Sequence, residues 1–147
     1  MSPRILLVED NEDDIALTLR AFEQSKLRDQ IEVVRDGSAA LDFLLCQGAY
    51  AGRDPQRMPD LILLDLNLPR LGGLQVLERL RQHQPSKFIP VVVLTSSLEE
   101  RDIVESYRLG ANSYVQKPVD FGQFLEATRD LGLYWLGLNR RVPPHVR

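Results

Sequence analysis

The stretch Leu61–Asp65 has the sequence LILLD, four large apolar side chains followed directly by an acid. A short continuous apolar run is typical of a strand whose two faces are both covered by helices. Four more runs predict strands, the last two less clearly than the others: Ile5–Val8, Ile89–Leu94, Ser113–Gln116 and Ile31–Val34. The sequence therefore contains five candidate strands of one buried sheet.

The segments between these runs carry apolar side chains at helical spacing, for example Ile15, Leu19 and Phe22. Ser97 and Glu100 have the spacing of a capping box at the start of the fourth helix. Strand and helix alternate five times, which favours a parallel sheet because parallel neighbours need crossover connections. We therefore predict a doubly wound, flavodoxin-like α/β fold with strand order 2-1-3-4-5. Gln47–Pro59 is predicted to be an exposed loop.

Composition excludes several classes of protein. The chain has 147 residues, 44% hydrophobic and 27% charged, with a net charge of −3, which fits one globular domain. We place that domain at residues 1–138 and a tail at 139–147. The absence of a basic block argues against nucleic-acid binding, and no apolar run is long enough to span a membrane. One cysteine and two histidines exclude a disulfide framework and a Cys/His zinc site. The N-terminus does not resemble a signal peptide, so we expect a cytoplasmic protein.

Polar side chains follow the predicted strands at the point where each strand ends. Glu9 and Asp10 follow the first, Asp65 the third, Thr95 the fourth and Lys117 the fifth. The carboxyl ends of parallel strands share one edge of the sheet, and ligands bind there where the strand order reverses. In the order 2-1-3-4-5 this reversal lies between the first and third strands. We therefore expect Glu9, Asp10 and Asp65 to flank one crevice.

Three carboxylates in one crevice repel each other unless a cation neutralises them. An all-oxygen ligand set favours a hard ion, and Mg²⁺ commonly shares a phosphate oxygen with its protein ligands. Lys117 and the Thr95 hydroxyl add donors for an anionic group. A carboxylate can itself be a phosphoryl acceptor, and the central one is Asp65. Each residue taken alone has a simpler explanation, as a turn former or an acid at a helix N-terminus, and we assign only the latter role to Asp13 and Asp14.

The segments ILLVED (5–10), LILLDLNLP (61–69), VLTS (93–96) and KP (117–118) together resemble the receiver domain of two-component response regulators over residues 4–130. The resemblance implies phosphorylation of Asp65 by a histidine kinase. It implies Mg²⁺ held by Asp10, Asp65 and the backbone carbonyl of Asn67, with Glu9 bound directly or through water. It implies phosphoryl binding by Lys117 before a cis peptide bond to Pro118. It also implies a switch pair, Thr95 and Tyr114. No turnover of a separate substrate is expected.

The segment after Leu131 is more apolar than the end of a surface helix requires. Leu131 and Trp135 can pack on the sheet, but Tyr134 and Leu138 lie on another stripe of the helix, which favours self-association. The loop after the second helix and the Tyr-Trp-Leu tail are similar to small response regulators paired with bacterial phytochromes. That resemblance implies a phytochrome kinase as partner. It also implies a homodimer through the fourth helix, fifth strand, fifth helix and the segment around Trp135.

Three other functions are compatible with the predicted fold. The first is an interaction module that is never phosphorylated, although none of the phosphorylation residues is missing. The second is a phosphatase of the haloacid-dehalogenase type, which needs an acidic residue two positions after the nucleophile, where this chain has Asn67. The third is a flavin binder, but the first strand is not followed by a Ser/Thr/Gly-rich phosphate loop.

Overall fold

The computed structural model describes residues 3–143. Its centre is a sheet of five parallel strands in the order β2-β1-β3-β4-β5, which confirms the predicted order. The strands are β1 (Ile5–Val8), β2 (Ile31–Val34), β3 (Leu61–Leu64), β4 (Val91–Thr95) and β5 (Ser113–Gln116). Only β4 differs from its predicted bounds. It begins at Val91 because Pro90, lying inside the predicted run, has no N–H with which to continue the ladder.

Each strand is followed by an α-helix: α1 (Glu12–Gln24), α2 (Gly37–Leu44), α3 (Gly73–Gln82), α4 (Glu100–Arg108) and α5 (Phe121–Leu133). The side chains of Asn11, Asp36 and Asp120 cap α1, α2 and α5 by accepting backbone N–H groups. The predicted capping box of α4 is wrong. The Ser97 hydroxyl accepts the N–H of Glu99 and donates to Asp102, so it forms a turn before the helix rather than its cap.

Alternate side chains of each strand enter two separate apolar cores. Leu6 and Val8 of β1 pack with α2 and α3 on one face, while Ile5 and Leu7 pack with α1 and α5 on the other. Strands β1, β3 and β4 are almost fully buried, as the apolar runs predict. The sheet therefore forms a rigid platform whose carboxyl edge carries the polar residues.

The loop at residues 47–59 is anchored more firmly than the sequence predicts. Tyr50 packs edge-on against Phe43, and the Arg53 guanidinium lies 3.7 Å from the centre of the Phe43 ring. Arg53 also donates to the carbonyl of Arg57 at 2.7 Å, and Met58 is buried in the α2–α3 core. An exposed loop is therefore only a partial description, because three of its side chains fasten it to the protein.

Beyond α5 the chain continues as a π-helical turn, Tyr134–Leu138. Trp135 and Leu136 pack against the core on the α1–α5 face, whereas Leu133, Tyr134 and Leu138 are exposed. Asp60 holds the following segment to the amino edge of the sheet through ion pairs with Arg4 and Arg141. Of the predicted tail, residues 144–147, with His145, lie outside the described residues, as do Met1 and Ser2. Within residues 3–143, no helix combines the length and apolarity that a membrane crossing requires.

Candidate metal centre at the carboxyl edge of the sheet

Glu9, Asp10 and Asp65 meet at the carboxyl edge where the strand order reverses. Glu9 and Asp10 directly follow β1, and Asp65 directly follows the neighbouring β3. One carboxylate oxygen from each lies within 4.8 Å of the others. Glu9 and Asp65 are buried, whereas Asp10 is exposed. The structure thus brings together the three acids that the sequence places at this crevice, with one side open to solvent.

Lys117 forms ion pairs with two of these acids, Glu9 and Asp65. Its Nζ is 2.6 Å from Glu9 Oε1 and 3.1 Å from Asp65 Oδ2. The backbone N–H of Lys117 donates to the Thr95 carbonyl at 2.7 Å, which fixes the residue beyond the end of β5. Only 9% of the lysine side chain is exposed. The Lys117 ammonium therefore approaches Asp65, the candidate phosphoryl acceptor, from the side of β5, as predicted.

Asp14 is a site residue that the sequence analysis missed. It lies in the first turn of α1, yet its Oδ2 accepts a hydrogen bond from Lys117 Nζ at 2.8 Å. The prediction that Asp14 is only an acid favoured by the helix N-terminus is therefore wrong. No local pattern shows the contact, because Asp14 and Lys117 are 103 residues apart in sequence.

Burial and charge shift two pKa values in the site. Desolvation by burial raises the pKa of Glu9 to about 7; the hydrogen bond from Lys117 opposes this, and the neighbouring Asp65 adds to it. For Lys117, burial alone lowers the pKa. The hydrogen bonds to Asp14 and Glu9, with the charges of Asp65 and Glu9, outweigh burial, so the pKa of Lys117 rises above its ordinary value. The lysine therefore stays charged, whereas Glu9 titrates near neutrality.

The donor set fits a small divalent cation. Three carboxylates and one ammonium leave the crevice negative, and a hard ion with oxygen ligands removes this excess. Asp10 is open to solvent, so an ion here can keep several of its waters, as Mg²⁺ usually does. The Asn67 N–H donates to Asp65 Oδ1 at 3.3 Å, so the Asn67 backbone adjoins the same carboxylate. The residues present thus suit Mg²⁺ better than a softer metal.

The loops after β3 and β4 position the remaining predicted residues. Gly73, at the start of α3, packs so closely that a Cβ there would lie 2.3 Å from the Asp65 carbonyl oxygen, which excludes a larger side chain. Thr95 is fully buried, and its Oγ1 accepts the Ser97 N–H at 3.4 Å. The Tyr114 hydroxyl donates to the Ser97 carbonyl at 2.9 Å. Thr95 and Tyr114 therefore contact the same loop between β4 and α4.

The peptide bond between Lys117 and Pro118 is trans, so the cis bond implied by the resemblance is not present in this structure. The trans form is the ordinary preference of a bond to proline, by about 0.5–1 kcal/mol. Lys117 makes its contacts with Glu9, Asp14 and Asp65 in this trans arrangement.

Mg²⁺ affinity is expected to rise about tenfold between pH 6 and pH 8, because a metal must displace the proton that Glu9 holds below about pH 7. Calorimetric titration with Mg²⁺ at several pH values measures this. The Glu9→Gln variant has no such proton and should give a nearly flat profile. An equal dependence of Mg²⁺ affinity on pH in both proteins would contradict the assignment of this proton to Glu9.

In the metal-free protein the raised pKa of Glu9 makes folding stability decrease with pH, whereas Mg²⁺ affinity increases with pH. The folded state keeps a proton that the unfolded state loses, so stability should fall as pH rises from 4.5 to about 7.

The model of the response regulator receiver domain family matches residues 5–129. Among curated relatives, the probable methanogenesis regulatory protein FilR2 of Methanothrix harundinacea is 42% identical over 141 residues, covering 95% of this chain and 88% of FilR2. Response regulator Rcp1 of Synechocystis sp. is 39% identical over 132 residues, covering 90% and 88% of the two chains. Both relatives are matched over nearly their whole length.

Solved structures show the same similarity. The phosphorylated cyanobacterial phytochrome response regulator RcpA superimposes with a TM-score of 0.89 and 38% identity, covering 97% of this chain and all of RcpA. The Mn²⁺-bound form of Rcp1 has a TM-score of 0.86 and 37% identity, covering 95% and 98% of the two chains. The bacteriophytochrome response regulator RtBRR has a TM-score of 0.75 and 50% identity, covering 99% and 87%.

Proposed function

The chain belongs to the response regulator receiver domain family, and we propose that it is a stand-alone response regulator phosphorylated on Asp65. The observation that carries this proposal is the position of Asp65. Its buried carboxylate has an oxygen within 4.8 Å of an oxygen of each of the other two acids of the candidate metal centre, and it accepts a hydrogen bond from the ammonium of Lys117 at 3.1 Å. A phosphoryl group on Asp65 would thus have cationic partners on two sides. RcpA, a structural relative, was solved in a phosphorylated form.

In the proposed reaction, an Asp65 carboxylate oxygen attacks the phosphorus of a phosphohistidine on a kinase, or of acetyl phosphate. A P–O bond to Asp65 forms, and the bond from phosphorus to the histidine nitrogen or the acetate oxygen breaks. Lys117 holds an equatorial phosphoryl oxygen, and the Thr95 hydroxyl donates to another. Asp10, Asp65 and the Asn67 carbonyl would hold Mg²⁺, with Glu9 bound directly or through water. The metal supplies charge neutralisation at the transferred group.

The phosphoryl group adds almost two negative charges and three acceptor oxygens at one point. We propose that it draws the Thr95 hydroxyl toward it and that the Tyr114 ring then moves inward. Both side chains contact the loop of Ser97, which leads into α4. A changed loop would alter the face formed by α4, β5 and α5. The adduct hydrolyses at the same site, and no separate substrate is turned over.

Incubation with acetyl phosphate and Mg²⁺ tests this function. The protein should gain the mass of one phosphoryl group, and tandem mass spectrometry after borohydride reduction should place it on Asp65. If the protein binds the metal but gains no mass, the proposed phosphorylation is wrong. The protein would then be an interaction module of the same fold. Continuous hydrolysis of a general phosphate ester would instead indicate a phosphatase.

For the partner, we propose a histidine kinase of the bacterial phytochrome type, acting in the cytoplasm. RcpA and RtBRR, both named as phytochrome response regulators, support this assignment because they align along almost the entire chain. Phosphotransfer profiling against the histidine kinases of the host measures kinetic preference. The phytochrome kinase should transfer fastest. Faster transfer from another kinase would contradict the pairing while leaving phosphorylation of Asp65 intact.

We also propose that the protein forms a homodimer through α4, β5, α5 and the segment around Trp135. We propose no nucleic-acid partner. Exposed apolar side chains lie on or beside these elements: Val104, Tyr107, Phe121, Leu133, Tyr134 and Leu138. Trp135 is half-buried against the protein's own core and stacks edge-on against Tyr134, with ring centres 5.0 Å apart. Trp135 thus contacts both the core and the exposed Tyr134.

Truncating this surface should weaken the dimer. We expect Tyr134→Ala and Trp135→Ala each to raise the dimer dissociation constant by about tenfold, as for a central aromatic contact. Sedimentation equilibrium measures this constant. Trp135→Ala should also lower the melting temperature, because it removes packing on the α1–α5 face. Phe88→Ala is the control, since Phe88 is 46% exposed but lies outside the proposed elements. A monomeric parent protein, or equal effects of all three changes, would contradict this interface.

A further inference from the structure

Asp14 is held firmly in place at the edge of the site. Its backbone N–H donates to the Asn11 side chain at 3.0 Å, which is the cap of α1. Its carbonyl accepts the Thr18 hydroxyl at 2.8 Å. Its carboxylate accepts Lys117 Nζ at 2.8 Å. Both backbone groups of Asp14 are hydrogen-bonded within the first turns of α1. Its carboxylate is therefore held at a defined position beside Lys117.

Three carboxylates fully occupy the Lys117 ammonium in this structure. An ammonium has three N–H donors, and Glu9, Asp14 and Asp65 lie 2.6, 2.8 and 3.1 Å from Nζ. A phosphoryl group on Asp65 needs at least one of these donors for its own oxygens. The donor now given to Asp65 passes to these oxygens, and any further N–H that the phosphoryl group takes must come from Glu9 or Asp14.

Of these acids, Asp14 can lose its ion pair with Lys117 at the lowest cost in free energy. Its side chain is 25% exposed, against 3% for Glu9 and 7% for Asp65. A released Asp14 carboxylate can be solvated by water, whereas a buried carboxylate without a partner is strongly penalised. Asp65 is not one of the two acids in competition, because its carboxylate becomes the acyl phosphate and its charge moves to the phosphoryl oxygens.

We propose that Asp14 is a positioning residue that holds Lys117 in the unphosphorylated protein and competes with the phosphoryl group for it. The proposal rests on the proposed function, because it assigns Asp14 a role in phosphorylation of Asp65. Asp14 acts in two ways, both through its negative charge. It occupies one lysine N–H, and it repels an anionic group arriving at Asp65 while it attracts a cation to the adjoining acids.

Removal of this charge should move two affinities in opposite directions. In Asp14→Asn we expect Mg²⁺ to bind about two- to fivefold more weakly, because one negative charge near the metal centre is lost. At saturating Mg²⁺ we expect beryllofluoride, an inorganic analogue of the phosphoryl group, to bind Asp65 about three- to tenfold more tightly. A merely structural role for Asp14 would weaken both, because a loosened site binds every ligand less well.

Calorimetric titration with Mg²⁺ and ¹⁹F NMR titration with beryllofluoride measure the two constants. Asp13→Asn is the matched control, because Asp13 is an exposed acid in the same helical turn and its substitution changes the net charge equally. It should leave both constants within about twofold. Asp14→Glu restores the charge and should shift both constants back toward the wild-type values. Thermal unfolding of each variant verifies that it is folded.

Opposite shifts in Asp14→Asn that are absent in Asp13→Asn would establish the role of Asp14. Unchanged constants, or weakening of both, would overturn it. If Asp14→Asn does not fold, Asp14→Ser is measured in its place under the same criteria. These outcomes differ from failure of the proposed function, in which the wild-type protein itself binds no beryllofluoride and gains no phosphoryl group.

Discussion

Asp65→Asn should abolish phosphorylation completely, with no mass gain after incubation with acetyl phosphate and Mg²⁺. An amide oxygen at this position is a poor nucleophile. Asp65 is the acid whose two oxygens contact Lys117 and the N–H of Asn67. Intact-protein mass spectrometry over a time course measures the result.

Asp60→Asn is the matched control for this change. Asp60 precedes β3 where Asp65 follows it, and the two side chains are similarly buried, with 7% and 6% of each residue exposed. Asp60 contacts Arg4 and Arg141 at the opposite edge of the sheet. Its substitution should lower stability yet leave phosphorylation intact. Equal loss in both variants would mean that the assay reports folding, and phosphorylation retained in Asp65→Asn would assign the adduct to another residue.

Lys117→Ala should have the second largest effect, which is loss of the response to phosphorylation. The variant should still accept a phosphoryl group from acetyl phosphate, though more slowly. No ammonium would then link the group to β5, so the exposure of α4 and β5 should not change. Hydrogen exchange with and without beryllofluoride measures this response. A wild-type response in Lys117→Ala would contradict the role given to the lysine.

The same variant should be less stable without metal. Three acids lose their shared partner, and removing one member of a buried ion pair costs about 3–5 kcal/mol. Protonation of Glu9 offsets part of this cost at low pH, so the deficit in unfolding free energy should grow as pH rises through about 7. Mg²⁺ should restore more stability to the variant than to the wild type. Lys87→Ala, a lysine outside the site, serves as the control in chemical denaturation.

The strands could be predicted from the sequence because a sheet covered on both faces requires continuous apolar runs. Four of the five predicted ranges are the observed strands, and Pro90 explains the shift in β4. The strand order followed from the crossovers. The anchoring of the loop at residues 47–59 could not be predicted, because Arg53 is fastened by stacking on Phe43, which no local pattern indicates.

The acids at the strand ends were predictable because position at the end of a parallel strand fixes their location. Asp14 was not, since an acid in a first helical turn is common and its partner is distant in sequence. The sequence contained one indication that Asp14 lies near the site. The Asn11 cap fixes where α1 begins, and α1 follows directly from the site acids Glu9 and Asp10. The capping box at Ser97 failed because the same hydroxyl can form a turn instead of a cap.

The most direct test of the account is a crystal structure with Mg²⁺ and beryllofluoride bound. We expect a metal about 2.0–2.1 Å from oxygens of Asp10, Asp65 and the Asn67 backbone. We also expect beryllium to be bonded to Asp65 and the Lys117 ammonium to contact the fluorine atoms. A crevice without either ligand, and with Asp65 pointing away from Asp10, would contradict the proposal that this edge of the sheet accepts a phosphoryl group.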